Sequence, residues 1–511
     1  MSPSSTQEFL RNVLRWEVSW SAIAVWLTIA SGLFVLKSLV SKRREKKSER
    51  FPPGPSGLPL LGYLPFVRKP YHVAFKEMSD RYGPIFRVRL GCRDVVVLND
   101  VASVREGLNN PDIFYRPEDF VFRYLDTKGI GGLNGEIWQV NRRYCFQVLR
   151  NLGFAKKPME KHIQEEIQGF TNLLEFSKAK PVNVAQQLTA SVANNMTALL
   201  FGERCDPREP RGRLVAELLT MFLQNANFFT FNDFLPVVRS FAVYIPKTRL
   251  RIVNYVFTEF KKLVRAEVKN REQIMDQYKD RDFIDGYLRK VQENKGINSH
   301  FSLAILEATA INFYSASTNT VRSAILWNLY IAASDPDGHQ ARIHREIDAA
   351  VGKLRAPQWD DRLRMPFAMA SILEMLRWRT ISPIGINRAA ARNTVICGYD
   401  VPAGTIVVAN FWSLHNDPVN WHSPSKYDPT RFLNDDGTEV KEKPIAFLPF
   451  STGKRGCPGE TLALMEIFLY VTTVLQKFRV LPEEGKSISL DEFDALLTVI
   501  DDTQGLRFIL R

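Results

Sequence analysis

Cysteine is scarce in this chain of 511 residues, and its positions form no framework. The five cysteines are odd in number and scattered, and no Cys-x-x-Cys pair or Cys/His cluster has the spacing of a zinc site. Structural disulfides and structural zinc are therefore not expected, and a reducing compartment fits best. Internal repeats, long low-complexity linkers and a Gly-rich dinucleotide-binding fingerprint are also lacking.

Acidic side chains are fewer than basic ones. The chain has 68 lysines and arginines against 55 aspartates and glutamates, which gives a net charge of +13. Such a charge favours an anionic partner, for which a nucleic acid, a membrane surface or an acidic protein would serve. No RNA-binding signature or zinc finger accompanies the charge, so we expect no nucleic-acid partner. The 45% hydrophobic and 24% charged composition is that of a globular protein with a substantial core.

Long uncharged runs are rare, and the clearest one lies near the N-terminus. Residues 18–36 carry no charge, and a helix of this length nearly spans a hydrocarbon core of about 30 Å. Trp16, Trp20 and Trp26 include suitable interfacial anchors. A buried core helix or a cleaved signal peptide are the alternatives, but the run is long for a signal peptide and no clear cleavage site follows. We therefore predict a transmembrane anchor at residues 18–36.

The charges that flank this run predict its orientation. Seven lysines and arginines lie between residues 37 and 50, whereas only Arg11 and Arg15 precede the run. The positive-inside rule places the C-terminal bulk in the cytosol and residues 1–17 in the lumen. A basic, Pro-rich linker follows at residues 37–56, and residues 57–511 are predicted to form one domain.

Helical periodicity dominates that domain. Apolar side chains recur at helical spacing over residues 161–176, 250–269, 301–333 and 461–478. Alternating apolar residues at 85–90 and 94–98, joined by a turn that contains Gly91, predict a β-hairpin. The predicted fold class is mainly α with small β-sheets, preceded by the transmembrane helix.

A glycine-rich loop near the C-terminus carries the strongest signal for a site. It runs from Phe450 to Gly459 and includes Gly453, Arg455 and Cys457. A cysteine thiolate that binds a metal must be deprotonated, shielded from water and approached by hydrogen-bond donors. The glycines allow tight turns that direct backbone N–H groups at the sulfur, and a helix that begins here would direct its positive end there. Cys457 is therefore a candidate metal ligand.

The spacing F-x-x-G-x-R-x-C-x-G in this loop resembles the haem-binding loop of the cytochrome P450 family. The resemblance covers the chain from the Pro-rich segment to the C-terminus and is strongest to the microsomal animal branch. It implies a P450 fold, haem b with Cys457 as the iron ligand, and O₂ as co-substrate. It also implies a monooxygenase in the endoplasmic reticulum membrane that oxidises a small lipophilic substrate. Electrons would come from NADPH through a cytochrome reductase, with cytochrome b5 as a further candidate donor.

Further motifs follow in the family's order. Glu374 and Arg377 match its E-x-x-R pair, and Arg431 matches the arginine of P-E-R-F, with Thr430 in place of the acid. The resemblance implies that these three form a buried structural network. It also implies that Phe450, Gly453 and Gly459 line the cofactor and that four side chains reach its propionates. These four are Trp138, Arg142, Arg388 and Arg455.

The predicted distal helix departs from the family pattern. Residues 316–320 read Ala-Ser-Thr-Asn-Thr, where the family has A-G-x-D/E-T. Thr320 matches the alcohol that steers protons, and Asn319, the second candidate catalytic residue, replaces a carboxylate. An amide orients water but does not titrate. Ser317 replaces a glycine and can bend the helix by bonding to a carbonyl one turn earlier. Two alternatives to the monooxygenase stay open: an isomerase or dehydratase that acts on peroxides or oximes, and a non-catalytic haem protein of the membrane.

Two surfaces complete the predictions. Apolar side chains are expected to line a substrate pocket: Phe114, Phe120, Phe122, Phe228, Phe229, Ala316, Ile381 and Ile384, together with Thr320. Basic side chains are expected to face an acidic reductase: Arg142, Arg143, Lys441, Lys443 and Lys454. Ordinary core packing and ordinary solvated charges are the respective alternatives.

Overall fold

The segments that the structure describes exclude the extreme N-terminus. In this computed structural model the described residues are 50–67, 70–118, 126–206, 209–225, 231–274, 280–294, 300–493, 499–500 and 503–511. The predicted anchor at 18–36 and residues 37–49 of the predicted linker lie outside them. Within the described segments, no helix combines the length and apolar character that crossing a bilayer requires.

Helices make up most of the described chain. In chain order they are α1 (Tyr71–Tyr82), α2 (Val101–Asn109), α3 (Gly135–Asn151), α4 (Lys157–Phe176), α5 (Ala185–Phe201), α6 (Pro210–Asn225), α7 (Phe231–Phe234), α8 (Pro236–Ala242), α9 (Arg249–Ile274), α10 (Phe283–Glu293), α11 (Leu303–Ser334), α12 (His339–Ala350), α13 (Pro366–Trp378), α14 (Phe411–His415) and α15 (Glu460–Lys477). Short 3₁₀ turns occupy Leu64–Phe66, Pro111–Ile113, Trp359–Arg364 and Pro429–Phe432. All four helical segments predicted from periodicity are present.

Local sequence sets several of these boundaries. The side chains of Asp100, Asp282 and Ser302 accept hydrogen bonds from backbone N–H groups in the first turns of α2, α10 and α11. Such caps satisfy N–H groups that have no partner inside the helix. Gly202 ends α5 in the left-handed conformation, with φ +70°, which glycine adopts without a steric penalty.

The strands form small sheets. They are β1 (Ile85–Leu90), β2 (Arg93–Leu98), β3 (Arg388–Ala389), β4 (Thr394–Ile396), β5 (Tyr399–Val401), β6 (Ile406–Ala409), β7 (Phe478–Pro482), β8 (Glu492–Phe493), β9 (Val499–Ile500) and β10 (Leu506–Leu510). The largest sheet has the order β1-β2-β6-β3, and β2 pairs with β6 in parallel. The predicted hairpin is confirmed as the antiparallel pair β1–β2. The mainly α class with small sheets is confirmed as well.

Helix α5 lies at the centre of the helical core and is buried over most of its length. Its polar side chains bond to different neighbours. Thr189 accepts from Arg322 of α11 at 2.8 Å, and the Ser191 hydroxyl lies 2.7 Å from that of Tyr470 on α15. These pairs satisfy polar groups that would otherwise be costly to bury, and they fix how α5 packs against both helices.

The Pro-rich segment is docked on the largest sheet. The Pro53 carbonyl accepts a hydrogen bond of 2.8 Å from the Arg87 N–H, and the Arg87 guanidinium lies over the Phe51 ring at 5.1 Å. A Cβ on Gly54 would come within 1.7 Å of the Arg87 carbonyl oxygen, so this close approach requires glycine. Residues 50–54 are thus packed against β1, and this fixes where the chain enters the domain.

Candidate functional site

The cysteine loop packs against the C-terminal part of α2 and leads directly into α15. Gly453 has φ +73°, and a Cβ there would lie 2.5 Å from the Leu108 carbonyl oxygen of α2. The Gly456 N–H bonds to the Gly453 carbonyl, and the Cys457 N–H bonds to the Phe450 carbonyl, each at 2.8 Å. The first bond closes a tight turn directly before the sulfur, as the glycine spacing predicted, and the second closes the wider loop from Phe450 to Cys457.

The surroundings of the Cys457 sulfur both oppose and assist its deprotonation. Its side chain has accessible surface, yet burial raises the pKa of the thiol above its ordinary value. The Gly459 N–H and the Arg142 charge lower this pKa, whereas Glu460 raises it. A bound metal ion would supply the missing positive charge and hold the thiolate form. Among the described residues, no group of three or more His, Cys, Asp or Glu side chains is arranged to hold a metal.

Arg142 ties helix α3 to this loop. Its Nη2 donates to the Gly456 carbonyl at 3.0 Å, and its guanidinium lies over the rings of Trp138 and Phe146 at 5.8 and 5.5 Å. The structure therefore places this predicted propionate ligand beside the backbone of the cysteine loop. Because the guanidinium is engaged with that backbone, Arg142 has less freedom to act in an exposed docking surface.

Arg455 is buried in a cage of backbone carbonyls. Its Nε donates to the Phe114 carbonyl at 2.8 Å, its Nη2 donates to the Leu133 carbonyl, and its guanidinium stacks on Trp138 at 3.7 Å. The predicted pocket residue Phe114 is itself buried, with Lys454 5.8 Å from the centre of its ring. The cage holds the chain before α3 against the cysteine loop.

Arg116 joins the same region from another segment. Its Nη1 donates to the carbonyls of Ile386 and Asn387 at 2.6 and 2.8 Å, and its Nε donates to Gly131 at 3.0 Å. The sequence analysis missed this residue. Nothing in the local pattern separates it from a surface arginine, and its role depends on contacts about 270 residues apart in the chain.

Arg388 lies on β3 and completes a cluster with Arg116, Arg142 and Arg455. Burial and the charge of Arg142 lower the pKa of Arg388 to about 10, and burial with the charges of Arg388 and Arg142 lowers that of Arg455 to about 8. Burial and the other three arginines also lower the pKa of Arg116. None of the four forms an ion pair with a carboxylate of the described residues.

Three buried donors in this region lack any partner in the described part of the chain. They are Nη1 of Arg388, Nε1 of Trp138 and Nδ2 of Asn387. Buried donors and charges without partners are costly. Four arginines and three unpartnered donors at one place therefore favour an anionic group, and a group with two carboxylates fits them.

The distal helix α11 is accessible to solvent over a short stretch near Ala316. Ala316 is exposed although most of the helix around it is buried, and the Thr320 hydroxyl bonds to the Ala316 carbonyl at 2.7 Å. The Ser317 hydroxyl bonds to the Tyr314 carbonyl at 3.3 Å, which is the one-turn back-bond that the sequence predicted. Asn319 points elsewhere: it is 2% exposed, and its Nδ2 lies 3.4 Å from the Leu219 carbonyl of α6.

The chain before α3 is pinned onto this distal helix. The Gly131 N–H bonds to the Asn312 side chain at 2.9 Å, and the Ile130 N–H bonds to the Thr309 hydroxyl at 3.3 Å. A Cβ on Gly129 would lie 2.5 Å from the Thr309 nitrogen, so the loop contacts the helix backbone directly. The carbonyls that hold Arg116 and Arg455 are thus fixed relative to Thr320.

The predicted pocket residues fall in different places. Phe120, Phe122, Phe228 and Phe229 lie outside the described residues. Ile381 is buried in the main core, and Ile384 packs against that core while bridging to Asn410. Ile386, which was not predicted, is 43% exposed beside the carbonyl that binds Arg116. In this segment the open side chain is Ile386, because its neighbours turn inward.

Glu374 is the centre of a buried ion network. Arg377 donates to both of its carboxylate oxygens at 2.7 Å, and both side chains are fully buried. Arg431 adds a bond of 3.3 Å, and the Asp428 N–H adds one of 2.9 Å. Thr430, which stands where the family has an acid, bonds to Asp428 instead at 2.6 Å. The network joins α13 to the turn Pro429–Phe432.

A chain of hydrogen bonds extends from this network to the cysteine loop. Arg377 donates to the His415 carbonyl at 2.8 Å, and burial, with the charge of Arg377, lowers the pKa of His415 to about 3. The neutral imidazole accepts the Leu448 N–H at 3.1 Å through Nε2, and its Nδ1 lies 2.8 Å from the Thr380 hydroxyl. Leu448 lies two residues before the start of the cysteine loop at Phe450, so the network positions the chain that leads into that loop.

We expect Glu374→Gln to destabilise the fold by about 3–5 kcal/mol, because it leaves Arg377 buried without a full counter-charge. Urea unfolding measures this change. Glu442→Gln, at an exposed position, serves as the control and should shift the unfolding free energy by less than about 0.5 kcal/mol. Equal unfolding curves for the two variants would contradict the structural role of the network.

Comparison with known proteins agrees with this geometry. Residues 52–504 match the family model described as Cytochrome P450. The chain is 34% identical over 447 residues to cytochrome P450 2A12 of Mus musculus, which covers 86% of this chain and 89% of that protein. It is 34% identical over 445 residues to cytochrome P450 2A1 of Rattus norvegicus, with 86% and 89% coverage. It is 32% identical over 442 residues to cytochrome P450 2H2 of Gallus gallus, with 85% and 88% coverage.

These relationships confirm the family to which the cysteine loop pointed, and with it the P450 fold, haem and O₂ as the chemistry of the site. Nothing in them favours the isomerase, dehydratase or non-catalytic alternatives. The chain belongs to the cytochrome P450 family, in the animal-type branch that its sequence resembles, and it is a haem-thiolate monooxygenase.

Proposed function

We propose that Cys457 binds the iron of haem b and that the arginine cluster holds its two propionates. The observation that carries this proposal is the group of three buried arginines and the half-buried Arg142, with no carboxylate partner among the described residues. Arg388 and Trp138 each direct an unpartnered buried donor into the region, and Arg455 and Arg116 supply charge from fixed positions. A dianionic edge would satisfy both the donors and the charge.

The loop backbone shapes the thiolate side of the site. Phe450 and Gly453 form the turn before Cys457, and the Gly459 N–H lowers the pKa of the thiol. Gly459 lies directly beside the sulfur, since a Cβ there would be in van der Waals contact with it at 3.9 Å. When bound, haem b supplies the O₂ activation that lets one oxygen atom enter the substrate. The protein holds the thiolate, excludes water and orients the substrate.

Cys457→Ala should abolish the reduced carbon monoxide band that is typical of thiolate-ligated haem, because no other described cysteine lies in such a loop. Absorption spectra of the purified proteins measure this band. Cys92→Ala, at an exposed cysteine outside the loop, should retain the band in full. Persistence of the band in Cys457→Ala would overturn the ligand assignment.

Arg388→Met should speed haem loss by roughly 10- to 100-fold, since a charge-assisted hydrogen bond contributes about 1.5–3 kcal/mol and each 1.4 kcal/mol is a factor of ten. Transfer of haem to an excess of a haem-acceptor protein gives the rate. Arg143→Met, which removes an exposed arginine of the same helix as Arg142, is the matched control. If both variants lose haem at the wild-type rate, the propionate assignment is wrong.

We propose Thr320 and Asn319 as the residues that manage protons on the distal side. The Thr320 hydroxyl donates its proton to the Ala316 carbonyl, so its lone pairs remain available to accept a hydrogen bond from water or a reacting group. The Asn319 Oδ1 is buried without a partner among the described residues, and it can orient a water molecule. Because an amide does not titrate, Thr320 and water carry the protons themselves.

Thr320→Val should lower the product formed per NADPH by at least about tenfold and divert the electrons to peroxide, since the variant keeps the shape and loses the hydroxyl. Thr320→Ser, which keeps the hydroxyl, should couple nearly as well as the wild type. The substrate for this assay is chosen by a binding-spectrum screen of steroids, terpenoids, fatty acids and xenobiotics. Equal peroxide yields from the two variants would remove Thr320 from proton delivery.

Electron supply is proposed to come from an NADPH-dependent cytochrome reductase, with cytochrome b5 as a further donor. The chain has no nucleotide-binding fingerprint of its own, and basic residues surround the cysteine loop. Arg143 and Lys441 are exposed, and Lys454 lies within the loop, whereas Lys443 is paired with Glu460 at 2.9 Å. An acidic partner face would meet these charges, so the coupling should weaken as salt rises.

The proposed location is the endoplasmic reticulum membrane, with residues 18–36 as the anchor and the catalytic domain in the cytosol. Exposed apolar side chains follow one region of the described surface: Leu58, Leu61, Phe66, Val237, Val238, Phe241, Tyr244 and Ile245. Hydrogen bonds hold the two parts of this surface together, because the β1–β2 turn bonds both to the Leu61 carbonyl and to that of Phe234. An apolar surface of this kind suits a membrane interface and a lipophilic substrate.

A further inference from the structure

His415, the last residue of α14, is fully buried where several segments of the chain meet. Its carbonyl accepts a hydrogen bond of 2.8 Å from Arg377, so the buried ion network fixes the main chain here. Its ring lies between Thr380, which follows α13, and Leu448, which precedes the cysteine loop. The ring also packs against Phe447, with 5.9 Å between the ring centres. The imidazole therefore joins the ion network to the chain that leads into the cysteine loop.

The hydrogen bonds on the two sides of this ring define which nitrogen carries the proton. The Thr380 hydroxyl donates its single proton to the Arg377 carbonyl at 2.8 Å. Nδ1 of His415, which lies 2.8 Å from the same hydroxyl oxygen, is therefore the donor of that bond. On the other side, the Leu448 N–H points at Nε2 from 3.1 Å, which requires a lone pair on Nε2. Both sides select the neutral ring with its proton on Nδ1, in agreement with the lowered pKa of His415.

Thr380 is held in place against its own backbone preference. Its φ is +27°, a region that a β-branched residue rarely enters, and its side chain is fully buried. Residues keep such a conformation where the surrounding structure over-determines it, and they are concentrated at functional sites. The hydroxyl that selects the protonated nitrogen of His415 is thus itself fixed, so the lone pair of Nε2 stays directed at Leu448.

The contact between His415 and Leu448 reaches Cys457 through two further hydrogen bonds. The Leu448 carbonyl accepts from the Ser451 N–H at 3.0 Å and closes a turn. Phe450 lies within that turn, and its carbonyl accepts from the Cys457 N–H at 2.8 Å. The peptide group that His415 holds is therefore joined, turn by turn, to the peptide group of the cysteine itself.

We propose that His415 is a positioning residue for the haem thiolate: with its proton on Nδ1, it holds the Leu448 N–H and thereby sets the place of the Cys457 sulfur. This inference rests on the proposed role of Cys457 as the iron ligand. His415 acts through the backbone, because its contacts are with Leu448 and Phe447 rather than with the sulfur. Without the acceptor on Nε2, the buried Leu448 N–H loses its partner and the turn that carries the cysteine is free to shift.

Two substitutions at position 415 separate the acceptor from the ring. His415→Gln can place an amide oxygen where Nε2 lies, whereas His415→Phe keeps a flat ring against Phe447 and removes both nitrogens. The measurement is the ratio of thiolate-ligated to non-thiolate haem in the reduced carbon monoxide spectrum of the holoprotein, at a urea concentration that populates both forms. His415→Phe should lower this ratio by about 5- to 150-fold, the effect of a buried N–H left without a partner, and His415→Gln should retain most of it.

Tyr330→Phe is the matched control for loss of a hydrogen bond in the core. It removes the bond of 2.9 Å from the Tyr330 hydroxyl to the Gln504 carbonyl, which does not lead to the cysteine loop. This variant should therefore leave the ratio of the two haem forms unchanged. A wild-type ratio in His415→Phe, or equal losses in His415→Phe and His415→Gln, would show that the acceptor on Nε2 does not position the thiolate.

A second pair of variants covers the case in which His415→Phe does not fold. Thr380→Val keeps the β-branched shape and removes the hydroxyl, so the ring can carry its proton on Nε2 and lose the contact with Leu448. Thr380→Val should lower the ratio in the same direction, and Thr380→Ser, which keeps the hydroxyl, should not. Equal ratios in these two variants overturn the proposal. Wrong assignment of Cys457 gives a different result, because the wild type and every variant would then lack the thiolate band.

Discussion

Uncompensated positive charge in the interior is the constraint on which the site depends. Arg116, Arg388 and Arg455 are each at least nine-tenths buried, and Arg142 lies beside them. Taking such charges out of water is expensive, and here they also repel one another. The protein lowers part of this cost by surrounding Arg116 and Arg455 with backbone carbonyls. An anion beside the arginines would offset the remaining cost of burying their charge, so binding of an anionic group would also stabilise this region.

The same carbonyls join the two sides of the site. They belong to the chain before α3, and that chain is pinned to α11 through Thr309 and Asn312. On the other side, Glu374 holds the segment that leads to the cysteine loop through Arg377 and His415. The distance between Thr320 and Cys457 is therefore set by two polar frameworks, each buried and each bonded mostly to backbone. Side chains that bond to backbone fix position more firmly than contacts between two flexible side chains.

How far the sequence could predict this arrangement depends on the range of the contacts. The cysteine loop, the hairpin and the Glu374–Arg377 pair lie within a few residues in the chain, so spacing alone revealed them. Arg116 and Ile386 could not be found in this way, because their environment is created by distant segments. Ile381 shows a different limit: its apolar character suits a pocket wall and a core equally, and the structure shows that it packs in the main core. The sequence motif predicted that Arg142 lies near the cysteine loop, but it did not predict the hydrogen bond from Arg142 to the Gly456 carbonyl.

The amide at position 319 fits its surroundings for a physical reason. Its Nδ2 faces the Leu219 carbonyl, and a carbonyl oxygen can receive a hydrogen bond from an amide but repels a carboxylate. A carboxylate in this buried position would therefore be both desolvated and opposed by a dipole, and its pKa would rise. The substitution of the family's acid thus links α11 to α6 by a neutral contact, while the hydroxyl of Thr320 keeps its acceptor capacity towards the open side. The proposed proton handling on the distal side therefore uses the Thr320 hydroxyl rather than a titrating side chain at position 319.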